Sequence, residues 1–251
     1  MDTGGDIRLG SALFTLVEPH RGHEVAYNRW YERDPFYAGC MVGPWLYAGR
    51  RWVATRDEKA LRGGTRPDLF GAGDPGTYLA IYFVIAGKHD EHFAWGLEQV
   101  RWLHANDRMF PERDHVHTLL YDQPWSVNRD DDGVPAELAL DHPYSSLVVQ
   151  VVEAGDDDSL RSWLHEHRAS APAIGQTVAM RPVPLAADAP VFQSGLEGLE
   201  RRTLLLRFGD GSIADVAAQA SLDEAPGVEL LWSSPFRPTI PGTDTYTDRL
   251  W

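Results

Sequence analysis

Apolar positions along the chain fall into two rhythms. Residues 11–17 (SALFTLV), 45–55, 77–86 (TYLAIYFVIA) and 115–121 (HVHTLLY) are β-branched, aromatic or alternating, which predicts strands. Residues 23–34 and 88–106 instead place apolar side chains three and four apart, which predicts helices. The second of these carries Phe93, Leu97, Val100 and Leu103 or His104 on one stripe. Pro35 predicts the end of the first helix, because proline lacks an amide donor and disfavours helical geometry just before it. The order strand, helix, strand, strand, helix, strand is the split βαβ, or ferredoxin-like, arrangement. Residues 57–76 are rich in glycine, proline and charge and predict a long loop.

The same rhythm returns after a charged linker at 128–135. Strands are predicted at 144–153, 176–184, 202–208 and 227–234, with helices at 159–170 and 212–220. Asp156, Asp157 and Asp158 stand where negative charge suits a helix N-terminus, and Ser212 stands at an N-cap. Residues 186–199 predict a loop. The proline-rich tail, 235–251, carries Phe236, Ile240, Tyr246 and Trp251 and is expected to lie back across the body. The repetition is one of element order, not of residues. It divides the chain into repeats at 1–127 and 136–251.

A four-stranded sheet of this kind carries helices on one face only, so its other face must be covered. Two such sheets in one chain can cover each other. The expected fold is therefore α+β: two tandem ferredoxin-like βαββαβ repeats whose antiparallel sheets pack into a pseudo-dimeric α/β barrel. Because the duplication supplies the partner sheet, a monomer is expected as readily as a homodimer.

Composition narrows the partners. A formal net charge of −14 over 251 residues excludes a nucleic-acid backbone, which needs clustered Lys and Arg, and disfavours anionic membrane surfaces. No apolar run reaches about 18 residues, so no membrane span is expected. The start lacks a basic region followed by an apolar stretch, so no signal peptide is expected. Cys40 is the single cysteine, which excludes an intrachain disulfide. Together these favour the cytoplasm.

The helix segment Asn28-Arg29-Trp30-Tyr31-Glu32, followed by Asp34, resembles the first helix of EthD-type members of the dimeric α/β-barrel superfamily. Those relatives carry an Asn-x-Trp-Tyr pattern, then acidic residues and a histidine; here Pro35 and Phe36 stand near the histidine's place. The resemblance implies a ligand pocket between sheet and helices. It also implies a range of activities: cofactor-independent oxygenases, cyclases, isomerases, lyases, haem enzymes and proteins without known activity.

The candidate chemistry sits in the first repeat. Its first helix region carries Tyr27, Trp30, Tyr31, Phe36 and Tyr37, whereas the matching helix of the second repeat has only Trp163. Tyr31, Asp34 and Tyr37, spaced by three, share a face of a continuous helix. A carboxylate beside a phenol can move a proton or polarise a carbonyl. His92, beside the apolar Phe93, is a candidate base. We take Tyr31, Asp34 and His92 as candidate catalytic residues, and Trp30, Tyr37, Arg51, Tyr82 and His117 as candidate ligand contacts. Arg51 can serve a carboxylate or enolate, or pair with Glu32 or Asp34 as structure. His115 and His117 alternate onto one strand face, but no third ligand follows at a metal spacing, so no metal is expected. Gly71-Ala72-Gly73-Asp74 neither follows a strand nor opens a helix, and is not a phosphate loop. The expected activity is proton transfer without a cofactor, or cofactor-independent oxygenation, on a hydrophobic carbonyl-bearing or aromatic small molecule. Non-catalytic ligand binding is one alternative. Haem binding, with His92, His115 or His117 as axial ligand, is the other.

Overall fold

The computed structural model describes residues 7–184 and 196–251. The first repeat runs β1 (Leu9–Pro19), α1 (Glu24–Arg33), β2 (Leu46–Val53), α2 (Arg56–Lys59), β3 (Tyr78–Ile85), α3 (His89–Ala105) and β4 (Arg113–Asn128). The second runs β5 (Ser146–Ala154), α4 (Asp157–Glu166), β6 (Ile174–Val183), β7 (Arg202–Gly209), α5 (Ile213–Gln219) and β8 (Val228–Pro238). The N-cap expected at Ser212 forms, its side chain accepting from the Asp215 amide, and Asp156, expected only as favourable charge, caps α4 by accepting from the Ser159 amide. The loop expected at 186–199 falls mostly outside the described residues.

Within each repeat every pairing is antiparallel, and the strand orders are β4-β1-β3-β2 and β8-β5-β7-β6. The sheets also join edge to edge, β2 to β8 and β4 to β6, and close an eight-stranded barrel. Closure leaves no open edge for another strand to add to. Strand alternation divides the apolar residues into layers. Phe14, Leu79, Phe83, Leu119, Phe208 and Trp232 fill the barrel lumen. Tyr27, Tyr31, Tyr78 and Tyr82 pack between the outer face of β3 and α1. Leu160, Leu164 and Leu205 belong to a separate layer in the second repeat.

The long loop after β2 is more structured than its composition predicts. It opens with α2, whose capping box is Thr55 with Glu58. The Glu58 carboxylate accepts from the Thr55 amide at 2.9 Å and also pairs with Arg237 of β8. Farther on, the loop runs along β8, where Thr65 and Arg66 donate their amides to the Leu230 and Leu231 carbonyls. Leu69 and Phe70 then enter the luminal core, with Phe70 edge-on to Trp232.

The C-terminal tail lies across the outside of α1, as expected. Asn28 donates to the Thr243 carbonyl at 2.9 Å, Arg29 pairs with Asp244 at 2.6 Å, and Glu32 accepts from the Gly242 amide at 2.9 Å. Tyr246 and Leu250 complete the apolar layer there. Among the described residues no helix is long and apolar enough to cross a membrane.

Candidate functional site

The outer face of β1 and β4 is not fully covered by α1 and α3. A cavity of about 190 Å³ remains between them. Its apolar walls include Leu13 of β1, Leu120 of β4, and Phe93, Leu97, Val100 and Leu103 of α3, the stripe that the helical spacing predicts. Gly96 also borders it, and a β-carbon there would meet nothing within 4 Å. An apolar cavity of about 150 Å³ is known to take benzene, so this volume suits a single substituted ring.

Polar groups enter from two sides. From α1, Tyr31 borders the cavity, and its hydroxyl lies 2.9 Å from that of Tyr82. Burial raises the pKa of both phenols, so both stay protonated. One hydrogen bond between two hydroxyls uses one proton and leaves the other to donate elsewhere. Cys40 follows in the π-helical turn Tyr37–Met41, where burial pushes its thiol up to about 12. Gly49 on β2 makes room for that turn: a β-carbon there would stand 2.5 Å from the Met41 sulfur.

His92, 4% exposed, borders the cavity from α3. Its Nδ1 lies 3.1 Å from the Pro44 carbonyl, which can only accept, so Nδ1 carries the proton. The lone pair is therefore on Nε2. Burial, partly opposed by that hydrogen bond, lowers the pKa below its ordinary 6.5, so the ring is neutral at pH 7.

The opposite wall, on β4 and β1, carries a polar row. Arg113 donates to His115 Nε2 at 3.1 Å, which fixes the His115 proton on Nδ1, 3.1 Å from Thr118 Oγ1. Thr15 reaches Thr118 at 3.0 Å. Burial, then the neighbouring Arg113 charge, lowers the His115 pKa to about 4. The Arg113 guanidinium lies over the Trp30 ring, 4.8 Å from its centroid. Our sequence reading assigned Arg113, Thr15 and Thr118 no role and grouped His115 with His117. The helical spacing of α3 points towards this wall, but strand periodicity alone does not select it.

Of the eight candidate residues, Trp30, Tyr31 and His92 border the cavity and Tyr82 stands directly behind Tyr31. The other four stand elsewhere. α1 ends at Arg33, as Pro35 requires, and the π-helical turn follows. The face shared by Tyr31, Asp34 and Tyr37 in a continuous helix is thereby broken. Asp34 turns to pair with Arg108, its Oδ2 3.0 Å from Nε, and Tyr37 is 53% exposed. Arg51 takes its structural role: it pairs with Glu32 at 3.2 Å, donates to Asn28 Oδ1 at 3.1 Å and lies over the Tyr31 ring. His117 is in the lumen, 1% exposed, with Nε2 2.6 Å from the Tyr121 hydroxyl. A register shift between β1 and β4 opposite these histidines places His115 outside the barrel and His117 inside. The two rings cannot share a metal. Among the described residues no group of three His, Cys, Asp or Glu side chains is arranged to hold one.

A second depression, of about 360 Å³, lies in the other repeat between α4, α5 and the outer sheet face. Trp163, His167, Thr177, Arg207, Asp223 and Glu224 border it.

Comparison with known proteins supplies a fold and no more. The sequence matches no family model and no curated protein. Three solved structures resemble it along nearly its whole length. One is a protein named provisionally as a chlorite dismutase, 11% identical with a TM-score of 0.52, over 97% of this chain and 100% of the other. The second is a dye-decolorizing peroxidase of Bacteroides thetaiotaomicron, 9% identical with a TM-score of 0.53, over 98% of each chain. The third is a provisionally named monooxygenase of Fusobacterium nucleatum, 8% identical with a TM-score of 0.50, over 92% of each. The fold is that of the dimeric α/β-barrel superfamily, with both ferredoxin-like units in one chain.

Haem proteins occur on this fold, so the fit of a haem is a fair question. The first cavity has room for one ring, not a four-pyrrole macrocycle. His115 is bonded through both nitrogens, whereas His92 is bonded through Nδ1 and keeps its Nε2 lone pair, so the volume rather than the histidines excludes the macrocycle there. In the second depression the walls carry Arg207, Asp223 and Glu224. The histidine there, His167, is exposed, stacked on Trp163 and bonded to the Trp163 carbonyl. The volume of the first space and the charged lining of the second do not fit a haem.

Proposed function

We propose that this protein is an enzyme acting without a cofactor on a small, one-ring hydrophobic molecule that carries a carbonyl, and that the ligand occupies the cavity between β1, β4 and α3. The observation that carries this reading is the combination around one apolar volume: a neutral imidazole of fixed tautomer, His92, and a hydroxyl that stays protonated, Tyr31. A neutral imidazole can take a proton from carbon beside a carbonyl. A buried hydroxyl can donate to the carbonyl oxygen as it becomes an enolate. The proton then returns to carbon at the same or another position, which is isomerase chemistry; where the enolate carbon instead attacks a second carbonyl of the same molecule and the alkoxide formed takes the proton back, the outcome is cyclisation. Attack of dioxygen on the same enolate is the oxygenase variant. Arg113 supplies positive charge on the far wall.

The test requires no knowledge of the natural substrate. Aryl ketones with acidic α-hydrogens are incubated with the protein in heavy water, and proton NMR follows the loss of the α-hydrogen signal. Exchange above the buffer rate is expected with the wild type, with a loss of about 100-fold or more in His92→Gln. Exchange at the buffer rate in both, while the ketones still bind, identifies a ligand-binding protein instead.

A further inference from the structure

Arg207, on β7 in the second repeat, is 4% exposed and has no counter-ion among the described residues. Its only hydrogen bonds among the described residues run from Nη1, to the Ala220 carbonyl at 3.2 Å and to Gln150 Oε1 at 3.4 Å. Both acceptors are uncharged. Its Nε is fully buried and makes no hydrogen bond. Burial lowers its pKa to about 10, and no neighbouring carboxylate offsets that effect. A buried charge is ordinarily paired, as two other arginines with buried side chains show. Arg51 has Glu32 and Arg62 has Asp74.

Arg207 does not face a packed core. It borders the depression between α4 and α5, of about 360 Å³. Thr177, its cross-strand partner on β6, borders the same space. So does Gln219, whose Oε1 is occupied by the Ala173 amide, which leaves its amide group to donate. Trp163, Leu164 and Ile174 supply apolar surface beside these donors. Two carboxylates, Asp223 and Glu224, also border the space, but both are exposed and neither pairs with Arg207.

We propose that this depression is a binding site for a small organic carboxylate with an apolar body, its charge neutralised by Arg207 and its body against Trp163. A guanidinium matches a carboxylate in shape and charge. An uncompensated one, buried beside hydroxyl and amide donors in a depression that also offers apolar surface, is arranged for an anion that comes from outside. The site lies on the other repeat from the proposed catalytic cavity and does not depend on it.

Calorimetric titration with benzoate tests the proposal, with benzamide as the neutral counterpart and inorganic phosphate as the anion without an apolar body. Benzoate is expected to bind the wild type at least tenfold more tightly than either. Arg207→Met, which keeps the length and removes the charge, is expected to lose that binding while its melting temperature holds or rises. Gly96→Phe, which fills the first cavity, is expected to leave benzoate binding intact. The proposal is overturned if the wild type binds no benzoate at millimolar concentrations, or binds benzamide equally well. It is also overturned if Arg207→Met retains binding, or if Gly96→Phe abolishes it. Phosphate binding as tight as benzoate would replace it with a plain inorganic-anion site.

Discussion

Tyr31 and His115 face one cavity and give opposite signatures. Replacing Tyr31 by phenylalanine removes the hydroxyl and keeps the ring against Tyr27 and Arg51. Binding of an aryl ketone is expected to weaken by about 1 kcal/mol, roughly fivefold, with little change in melting temperature; calorimetry and thermal unfolding read the two effects separately. For His115 the effect is on stability. Its folded pKa, about 4, lies below its ordinary 6.5. As pH falls through 6.5 the unfolded chain takes up the proton first. The stabilisation is complete above pH 6.5 and is lost between about 6.5 and 4, amounting to at most about 3 kcal/mol. Urea unfolding of wild type and His115→Gln at pH 7.5 and 4.5 isolates this contribution. The wild type is expected to lose more stability than the variant over that interval. The sequence reading that paired His115 with His117 was reasonable for a regular strand. One extra residue in β4, invisible in the residue pattern, sends the two rings to opposite faces.

The elements divide the motif at 28–32 between two tasks. Trp30 and Tyr31 face the cavity and the layer beneath it. Asn28, Arg29 and Glu32 hold the tail and Arg51. A pattern that resembles a functional signature is thus, in three of its five positions, a fastening for the C-terminus. Asn28→Ala removes a fully buried amide that bonds Thr243, Asp244 and Arg51. A loss of roughly 2–3 kcal/mol is expected. Hydrogen exchange should quicken in 239–251 before it does in the barrel strands; uniform exchange throughout would contradict the fastening. The tail's return across the body was legible from its aromatic residues, but its partners were not, because residues more than 200 positions apart leave no mark in local spacing. The place of α3 was legible for the converse reason: its apolar stripe is a local pattern. That stripe also shows why Gly96 matters. Gly96→Ala is expected to raise stability by about 0.5–1 kcal/mol in chemical denaturation, since alanine suits a helix interior better and finds open space.

Duplication explains how the whole molecule was readable from element order alone. Each repeat presents an apolar sheet face that only another sheet can cover, and the edges of the two sheets find each other at β2–β8 and β4–β6. The element order therefore forecasts the barrel even though the halves share no residue pattern. The location of the cavity was partly legible, from the aromatic excess of the first repeat. The buried Arg207 was not, since RTLLLRF is mostly aliphatic and reads as plain core, with nothing in the local pattern to show that its arginine has no carboxylate partner among the described residues. One expectation belongs to the molecule as a whole. Neither the one-ring cavity nor the charged depression fits a haem, so the purified protein mixed with hemin is expected to show no Soret shift of a histidine-ligated haem.

The account rests on the first cavity being a ligand site, and acetophenone titration of the wild type and Gly96→Phe tests this most directly. The wild type is expected to bind one equivalent at sub-millimolar concentration, and the filled variant none, with its melting temperature unchanged or higher. Equal binding by both proteins, or none by the wild type, would contradict the account.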